Sequence, residues 1–178
     1  MPRLFTAIHI PTECQAVLSD IQPLAQDGVS LTPADEMHVT LHFIGEVSEL
    51  TCDAIRLHLR SVQAECFNLQ LDGVGYFGEK ENPHVLWSGT NLSAELVRLR
   101  DAIGEVLTKF EIKLEERAYS PHVTLARLNK KPEIVEMFLH SHKEFSTRIE
   151  ASCFTLYLVE RAGRKFGYRK LEEYKLDS

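Results

Sequence analysis

The sequence predicts a mixed α+β fold made of two similar lobes, and two observations carry that reading. Strand-like and helical patterns follow one another with hairpins between them, not in the strict strand–helix alternation of a parallel doubly wound sheet. In addition, His38-Val39-Thr40-Leu41 returns unchanged as His122-Val123-Thr124-Leu125, 84 residues later. Each copy lies inside a β-type apolar run with helical patterns on either side, which is how a duplicated lobe reads. By composition H-x-T is expected about 0.4 times in such a chain and H-x-T-L about 0.05 times, so two copies of the longer motif are not an accident.

The elements follow in order. Residues 4–10 form a β-type run that Pro11 ends. Thr12-x-x-Gln15 resembles a capping box and opens a helix carrying Val17, Leu18, Ile21 and Leu24. Residues 38–44 are strand-like up to Gly45, and Ser48 caps a second helix with Leu50, Ala54, Leu57 and Val62 near one face. Residues 67–77 and 84–89 read as two strands around the turn-rich GEKENP stretch. Leu92, Leu96, Leu99, Ile103, Val106 and Phe110 then recur at three- and four-residue steps, an apolar stripe that belongs in the core of a monomer. Residues 122–128 are again strand-like, and Pro132 suits the first turn of a helix over 132–139. Residues 145–149 and 153–159 look like strands, and the chain turns near Gly163 into a last strand over 166–171. No long linker divides the chain, so residues 1–178 are expected to form one bilobal domain.

Composition narrows the function classes. The chain has 178 residues and is 44% hydrophobic, enough for one sizeable domain but not for two ordinary enzyme domains. With 26% charged residues, Gly 9 and Pro 7, it is neither disordered nor fibrous. No apolar run approaches the roughly 18–20 residues that cross a bilayer, and the N-terminal stretch lacks a secretory cleavage pattern. A cytoplasmic protein with no membrane partner is expected. Cys14, Cys52, Cys66 and Cys153 are scattered, form no C-x-x-C pair, and read as reduced structural thiols. A net charge of −6 argues against sequence-blind binding to nucleic acid. Locally, however, Arg161, Arg164, Lys165, Arg169 and Lys170 cluster around Phe166 and Tyr168, and Arg127, Lys130 and Lys131 form a second basic group. The cluster at 161–170 is either a solvated hairpin balanced by Glu172 and Glu173 or an anion-binding rim.

The repeated tetrapeptide carries the chemistry. On a regular strand His38 and Thr40 point one way while Val39, Leu41 and Phe43 point the other, and His122 and Thr124 share a face opposite Val123 and Leu125. Two facing lobes would therefore gather two imidazoles and two hydroxyls around one small volume. One imidazole can deprotonate water while the other protonates a leaving oxygen, and hydroxyls can stabilise charge on phosphoryl oxygens. Such a set hydrolyses a phosphodiester without a metal or other cofactor. His38 and His42 have the i, i+4 spacing of helical zinc ligands, but the V-T-L-H-F context is strand and no H-E-x-x-H accompanies it. His9, His58, His84, His140 and His142 have no comparable context. There is no G-x-x-x-x-G-K-[ST], G-x-G-x-x-G or G-x-S-x-G, so triphosphate, dinucleotide and serine-hydrolase readings lack support.

The paired H-x-T-x motifs resemble those of the two-histidine (2H) phosphoesterase superfamily. Within it the chain is similar to the RNA 2′,3′-cyclic phosphodiesterases of the ThpR or LigT type, formerly called 2′-5′ RNA ligases. The likeness runs through RLFTAIHIP at 3–11, MHVTLHFIGEV at 37–47, VLWSG at 85–89, SPHVTLARL at 120–128 and FTLYLVE at 154–160. It implies two pseudo-symmetric lobes, each an antiparallel sheet with flanking helices, around a central groove. It also implies opening of a terminal 2′,3′-cyclic phosphate of RNA, or of a small nucleotide, to a 2′-phosphate, with ATP-independent 2′-5′ ligation as a near-reverse reaction. By resemblance His38 is the proton donor and His122 the proton acceptor, Thr40 and Thr124 hold the phosphate, and Arg127 binds substrate; the identical motifs do not themselves order the two histidines. Strict alternation puts Arg127 on the opposite parity from His122, so a bulge, the strand end or its own length must bring it round. The first motif has Phe43 at the equivalent offset. Alternatives are a 2H phosphoesterase acting on 2′-5′ linked oligonucleotides or small cyclic phosphates, and an RNA-end binding module without turnover.

Overall fold

A computed structural model of the chain describes residues 1–162 and 165–178, with side chains outside 162–166. The elements run β1 (Arg3–His9), α1 (Thr12–Asp20), β2 (Val29–Leu31), a 3₁₀ turn (Ala34–Glu36), β3 (His38–Glu46), α2 (Glu49–Leu59), β4 (Phe67–Glu79), β5 (Asn82–Thr90), α3 (Ala94–Thr108), β6 (His122–Leu128), α4 (Pro132–His142), β7 (Ser146–Ala151), β8 (Cys153–Ala162) and β9 (Lys165–Lys175). The fold is α+β, and the strand order is β7-β4-β5-β6-β3-β1-β8-β9 with β2 alongside β6.

Two antiparallel halves make up this sheet. One is β3-β1-β8-β9 and the other β6-β5-β4-β7, and they meet at one pair, Val39 opposite Val123. The internal repeat is therefore a four-element unit, β1-α1-β3-α2 matched by β5-α3-β6-α4, with β8–β9 and β4/β7 widening the two halves. Each half lends a helix to the other. α3 precedes β6 in the chain but packs on β3 and α2, and Cys14 Sγ of α1 lies 3.6 Å from the Arg148 carbonyl on β7. One apolar cluster consequently runs from Leu4, Ile8, Val39 and Leu41 of the first half to Leu86, Val123, Leu125 and Ile149 of the second.

Local sequence explains most boundaries. Ser48 Oγ accepts from the Thr51 amide at 3.0 Å and Ser93 Oγ from the Leu96 amide at 3.2 Å, capping α2 and α3. Pro132 occupies the first turn of α4, where no amide hydrogen is needed. The GEKENP stretch is the β4–β5 turn.

Expectations for three of the helices change. The capping box at Thr12 does not form: Pro11 takes the N-cap place without a side-chain bond, and buried Gln15 turns back to donate to the Ile10 carbonyl at 2.9 Å. Val17 and Leu24 face solvent, Leu24 lying beyond the helix end. In α2 the buried stripe is Cys52, Ile55 and Leu59, while Leu50 and Leu57 are exposed; both stripes have helical spacing, and the turn of the helix against the core selects one. In α3, Leu96, Leu99, Ile103, Val106 and Leu107 are buried, whereas Leu92 precedes the helix and is 56% exposed. Gly163, the expected turn, lies outside the described residues. Among the described residues no helix is long and apolar enough to cross a membrane.

The two ends of the α3 stripe should thus separate experimentally. Leu99→Ala is expected to cost about 2–5 kcal/mol through transfer and cavity terms, and Leu92→Ala about 0.5 kcal/mol or less. Urea unfolding of the two variants measures both.

Candidate active site

Both motif strands break their alternation at the same place. On one side Ala7 faces Thr40 and Thr6 faces His42, so Leu41 is an extra residue in β3. On the other, Trp87 faces Thr124 and Leu86 faces Ala126, so Leu125 is an extra residue in β6. In each strand two consecutive residues after the threonine are buried, Leu41-His42 and Leu125-Ala126, and the next one emerges on the histidine's face. That next residue is Phe43 in β3 and Arg127 in β6. Phe43 was expected beside Val39 and Leu41; the bulge turns it over, and its ring lies 6.3 Å from Phe5, which is itself 5.0 Å from His38. The bulge likewise brings Arg127 to the face of His122 and Thr124, where it is exposed and has no carboxylate partner among the described residues. His42 is pushed to the core side instead, where its Nε2–H donates to the Arg100 carbonyl at 2.7 Å.

The four motif side chains sit around the joint between the halves. Antiparallel pairing of Val39 with Val123 sets the His-x-Thr pairs head to tail, His38 on the side of Thr124 and His122 on the side of Thr40. Both valines are fully buried beneath the sheet, so the histidines and threonines occupy the opposite face. Each imidazole is held the same way. His38 Nδ1 lies 2.6 Å from the Glu36 carbonyl and His122 Nδ1 2.7 Å from the Ser120 carbonyl. A carbonyl only accepts, so Nδ1 carries the hydrogen and Nε2 is the atom left for chemistry in both rings.

The two rings differ in surroundings. Phe5, Tyr157 and Tyr168 enclose His38, with Tyr168 edge-on at 5.3 Å and Tyr157 at 5.9 Å. Burial lowers the His38 pKa from 6.5 to about 4, against the opposing effect of the Glu36 carbonyl and with help from His9, His122 and Arg127. His122 has Phe77 edge-on at 4.8 Å and Trp87 at 6.3 Å; burial and the Arg127 charge lower its pKa too, while the Ser120 carbonyl raises it.

Of these aromatic residues, sequence reasoning singled out only Tyr168, in the basic cluster, although Phe5, Trp87 and Tyr157 lie within the blocks that carry the resemblance. Their signal was strand parity: Phe5 and Ala7 share a separate small cluster with Tyr157, on the groove face. His9, also without a role from sequence, lies across from His38 and is 3.1 Å through Nδ1 from the Tyr157 hydroxyl. Gly75 has a packing reason, since a Cβ there would fall 2.2 Å from the Trp87 ring.

The basic stretch divides. Arg169 pairs with Glu160 at 2.6 Å and Lys170 with Glu173 at 3.8 Å, as a solvated hairpin would. Glu172 does not balance that hairpin; it meets Arg56 of α2 and Arg60 just past its end at 3.3 and 2.6 Å. Tyr168 belongs to the His38 wall. Arg164, and the side chains of Lys165 and Phe166, lie outside the described residues. Among the described residues no group of three or more His, Cys, Asp or Glu could hold a metal ion.

A family model described as the 2′-5′ RNA ligase superfamily matches residues 11–165. The chain belongs to that superfamily. It is similar to the RNA 2′,3′-cyclic phosphodiesterase of Aeropyrum pernix, 42% identical over 108 residues covering 59% of this chain and 61% of that one. The corresponding Thermotoga maritima protein is 33% identical over 136 residues, 74% of this chain and 72% of its own. Among solved structures, Escherichia coli LigT complexed with 3′-AMP superposes with a TM-score of 0.80 at 26% identity, covering 100% of both chains. A Thermus thermophilus protein superposes with a TM-score of 0.78 at 25% identity over 97% of each.

This superfamily member should reveal its enclosed, half-buried histidine by titration. The His38 ring is expected to titrate near pH 4 in the free protein, and to move up when inorganic phosphate binds. Between pH 4 and 6.5 the unfolded chain binds the proton and the folded one does not, so stability rises with pH across that window and levels off above it. His38→Asn should flatten part of that slope. NMR titration and thermal unfolding against pH measure the two effects.

Proposed function

We propose that this chain is an RNA end-processing phosphodiesterase that opens a terminal 2′,3′-cyclic phosphate to a 2′-phosphate without a metal or cofactor. The observation that carries the reading is the pair of imidazoles, each fixed through Nδ1 so that Nε2 is left for chemistry, each on the side of the opposite half's threonine by the register of the joint, with Arg127 turned onto the same face. His122 Nε2 takes a proton from water as the water oxygen bonds to phosphorus. The bond from phosphorus to O3′ breaks, and O3′ takes the proton held on His38 Nε2. The product is a 2′-phosphomonoester with a free 3′-hydroxyl. Thr40 and Thr124 donate to the non-bridging oxygens, and Arg127 offsets the phosphate charge. Attack by an RNA 5′-hydroxyl in place of water would give a 2′-5′ linkage by the same proton transfers.

The substrate's negative charge completes the acid. With a pKa near 4 in the free protein, His38 is almost wholly neutral at pH 7, and an anion beside it favours the imidazolium. The names of the relatives, and the 3′-AMP complex of LigT, support a nucleotide or RNA terminus as substrate. The core shared by both halves supports action as one bilobal unit, with the α3 stripe buried in it as a monomer needs. The four free thiols support a reducing, cytoplasmic setting.

Turnover of a short RNA ending in a 2′,3′-cyclic phosphate, in EDTA, tests the proposal. A 2′-phosphate product is expected; a 3′-phosphate would mean that O2′ leaves, and cleavage of 2′-5′ linked oligonucleotides alone would move the substrate class. His38→Ala and His122→Ala should each lower turnover by about 10²–10⁴.

The pH dependence has a definite sign. Activity needs one protonated and one neutral imidazole, so kcat/KM should be highest above about pH 4, and because the His122 pKa is lowered its fall of about tenfold per unit should begin below pH 6.5. This profile belongs to the pair and does not order it. A substrate with sulfur at the 3′ position, whose thiolate leaves without a proton, orders it: the His38→Ala loss should shrink and the His122→Ala loss remain.

A further inference from the structure

A β-bulge leaves its strand's ladder locally broken, so a nearby carbonyl needs another donor. Both motif bulges are supplied from the other half of the molecule. At the first, the Tyr119 hydroxyl donates to the Thr40 carbonyl at 2.8 Å. Tyr119 stands three residues ahead of His122, in the segment that leads into the second motif. At the second, the Gln22 amide donates to the Leu125 carbonyl at 2.7 Å and to the Thr32 carbonyl at 2.8 Å, and the Thr32 amide also reaches Leu125 O at 3.0 Å. Gln22 and Thr32 stand in the segment that leads into the first motif.

We infer that Gln22 and Tyr119 are reciprocal positioning residues, each holding the bulge of the opposite motif so that its groove-facing side chains keep their direction. Tyr119 sets Thr40, whose own carbonyl it grips. Gln22 sets Arg127, two residues beyond the carbonyl it grips. The arrangement is built for permanence. The Arg100 guanidinium lies 4.5 Å over the Tyr119 ring, and burial pushes the phenol's pKa well up, so it remains a donor throughout the working range. Both hydrogens of the Gln22 amide are engaged. The segment after Tyr119 is tied as well: Ser120 O holds the His122 ring, and Pro121 O accepts from the Thr90 amide at 3.2 Å.

This inference rests on the phosphodiesterase reading of the site, and double-mutant cycles on adenosine 2′,3′-cyclic phosphate test it. Tyr119→Phe, which loses only the hydroxyl, should lower kcat about tenfold, and Gln22→Met, which keeps length but no donor, should lower kcat/KM about tenfold. The Tyr119→Phe loss should largely vanish in a Thr40→Ala background and persist beside Arg127→Gln; the Gln22→Met loss should largely vanish beside Arg127→Gln and persist beside Thr40→Ala. General loosening of the fold would give the same loss in every background, and that result, or no loss in the single variants, overturns the inference. Should Gln22→Met not fold, Gln22→Lys retains a donor and is expected within about threefold of the parent; a tenfold or greater loss there counts against the brace. Absence of turnover by the parent protein would fail the phosphodiesterase reading instead. The Gln22 brace is then read from inorganic phosphate binding by calorimetry, where Gln22→Met should weaken affinity about tenfold in the parent background and not beside Arg127→Gln. Equal weakening in both backgrounds overturns it.

Discussion

The pairing of Val39 with Val123 is the constraint on which the candidate site depends. It joins two antiparallel half-sheets at a single point and lays their motif strands head to tail. Because side chains alternate across a strand, two buried valines at the joint require that the residues on either side of them face the groove. His38, Thr40, His122 and Thr124 are those residues. The site is in this sense the upper face of an interface whose lower face is core. Any movement of one half against the other changes the spacing of the imidazoles and the packing of the valines together, which ties geometry at the site to burial beneath it.

Symmetry at the joint does not extend to the walls. The same backbone device holds both imidazoles, a carbonyl two residues upstream accepting from Nδ1–H. Around that shared device one ring is enclosed by Phe5, Tyr157 and Tyr168, and the other is bordered by Phe77 and Trp87 with Arg127 on its strand. At the shared offset beyond the bulge the first motif carries an apolar ring, Phe43, and the second a cation. Identical motifs thereby acquire different proton affinities. In the free protein the strongly lowered affinity lies with His38, the ring proposed as proton donor, so the proposed division of acid and base work depends on the substrate's charge as well as on the walls.

Much of this was legible in the sequence. The repeat marked the two histidines and two threonines, because a pattern of period two around a conspicuous pair of residue types survives any tertiary arrangement that buries one face. The cap at Ser48 and most of the stripe of α3 were legible for a similar reason, being set by neighbours within one or two turns. Arg127 was found by resemblance and contradicted by simple parity. The bulge at Leu125 resolves the conflict, and nothing within HVTLARL announces it, since an extra residue exists only relative to the strand across from it.

The sequence by itself therefore determined most element types, the duplicated unit and which residue types the paired motifs bring to the candidate site, all properties carried by local periodicity and residue identity. Tertiary structure alone decided which stripe of α2 is buried, since two stripes of equal spacing compete and the core accepts one. It alone decided that Phe43 and Arg127 face the groove, because bulges arise from pairing between strands distant in the chain. It also brought Gln22 to Leu125 and Tyr119 to Thr40, contacts that span 103 and 79 residues. Hydrogen bonds of that range leave no periodic trace, because each needs only one donor and one carbonyl placed together by everything else in the fold.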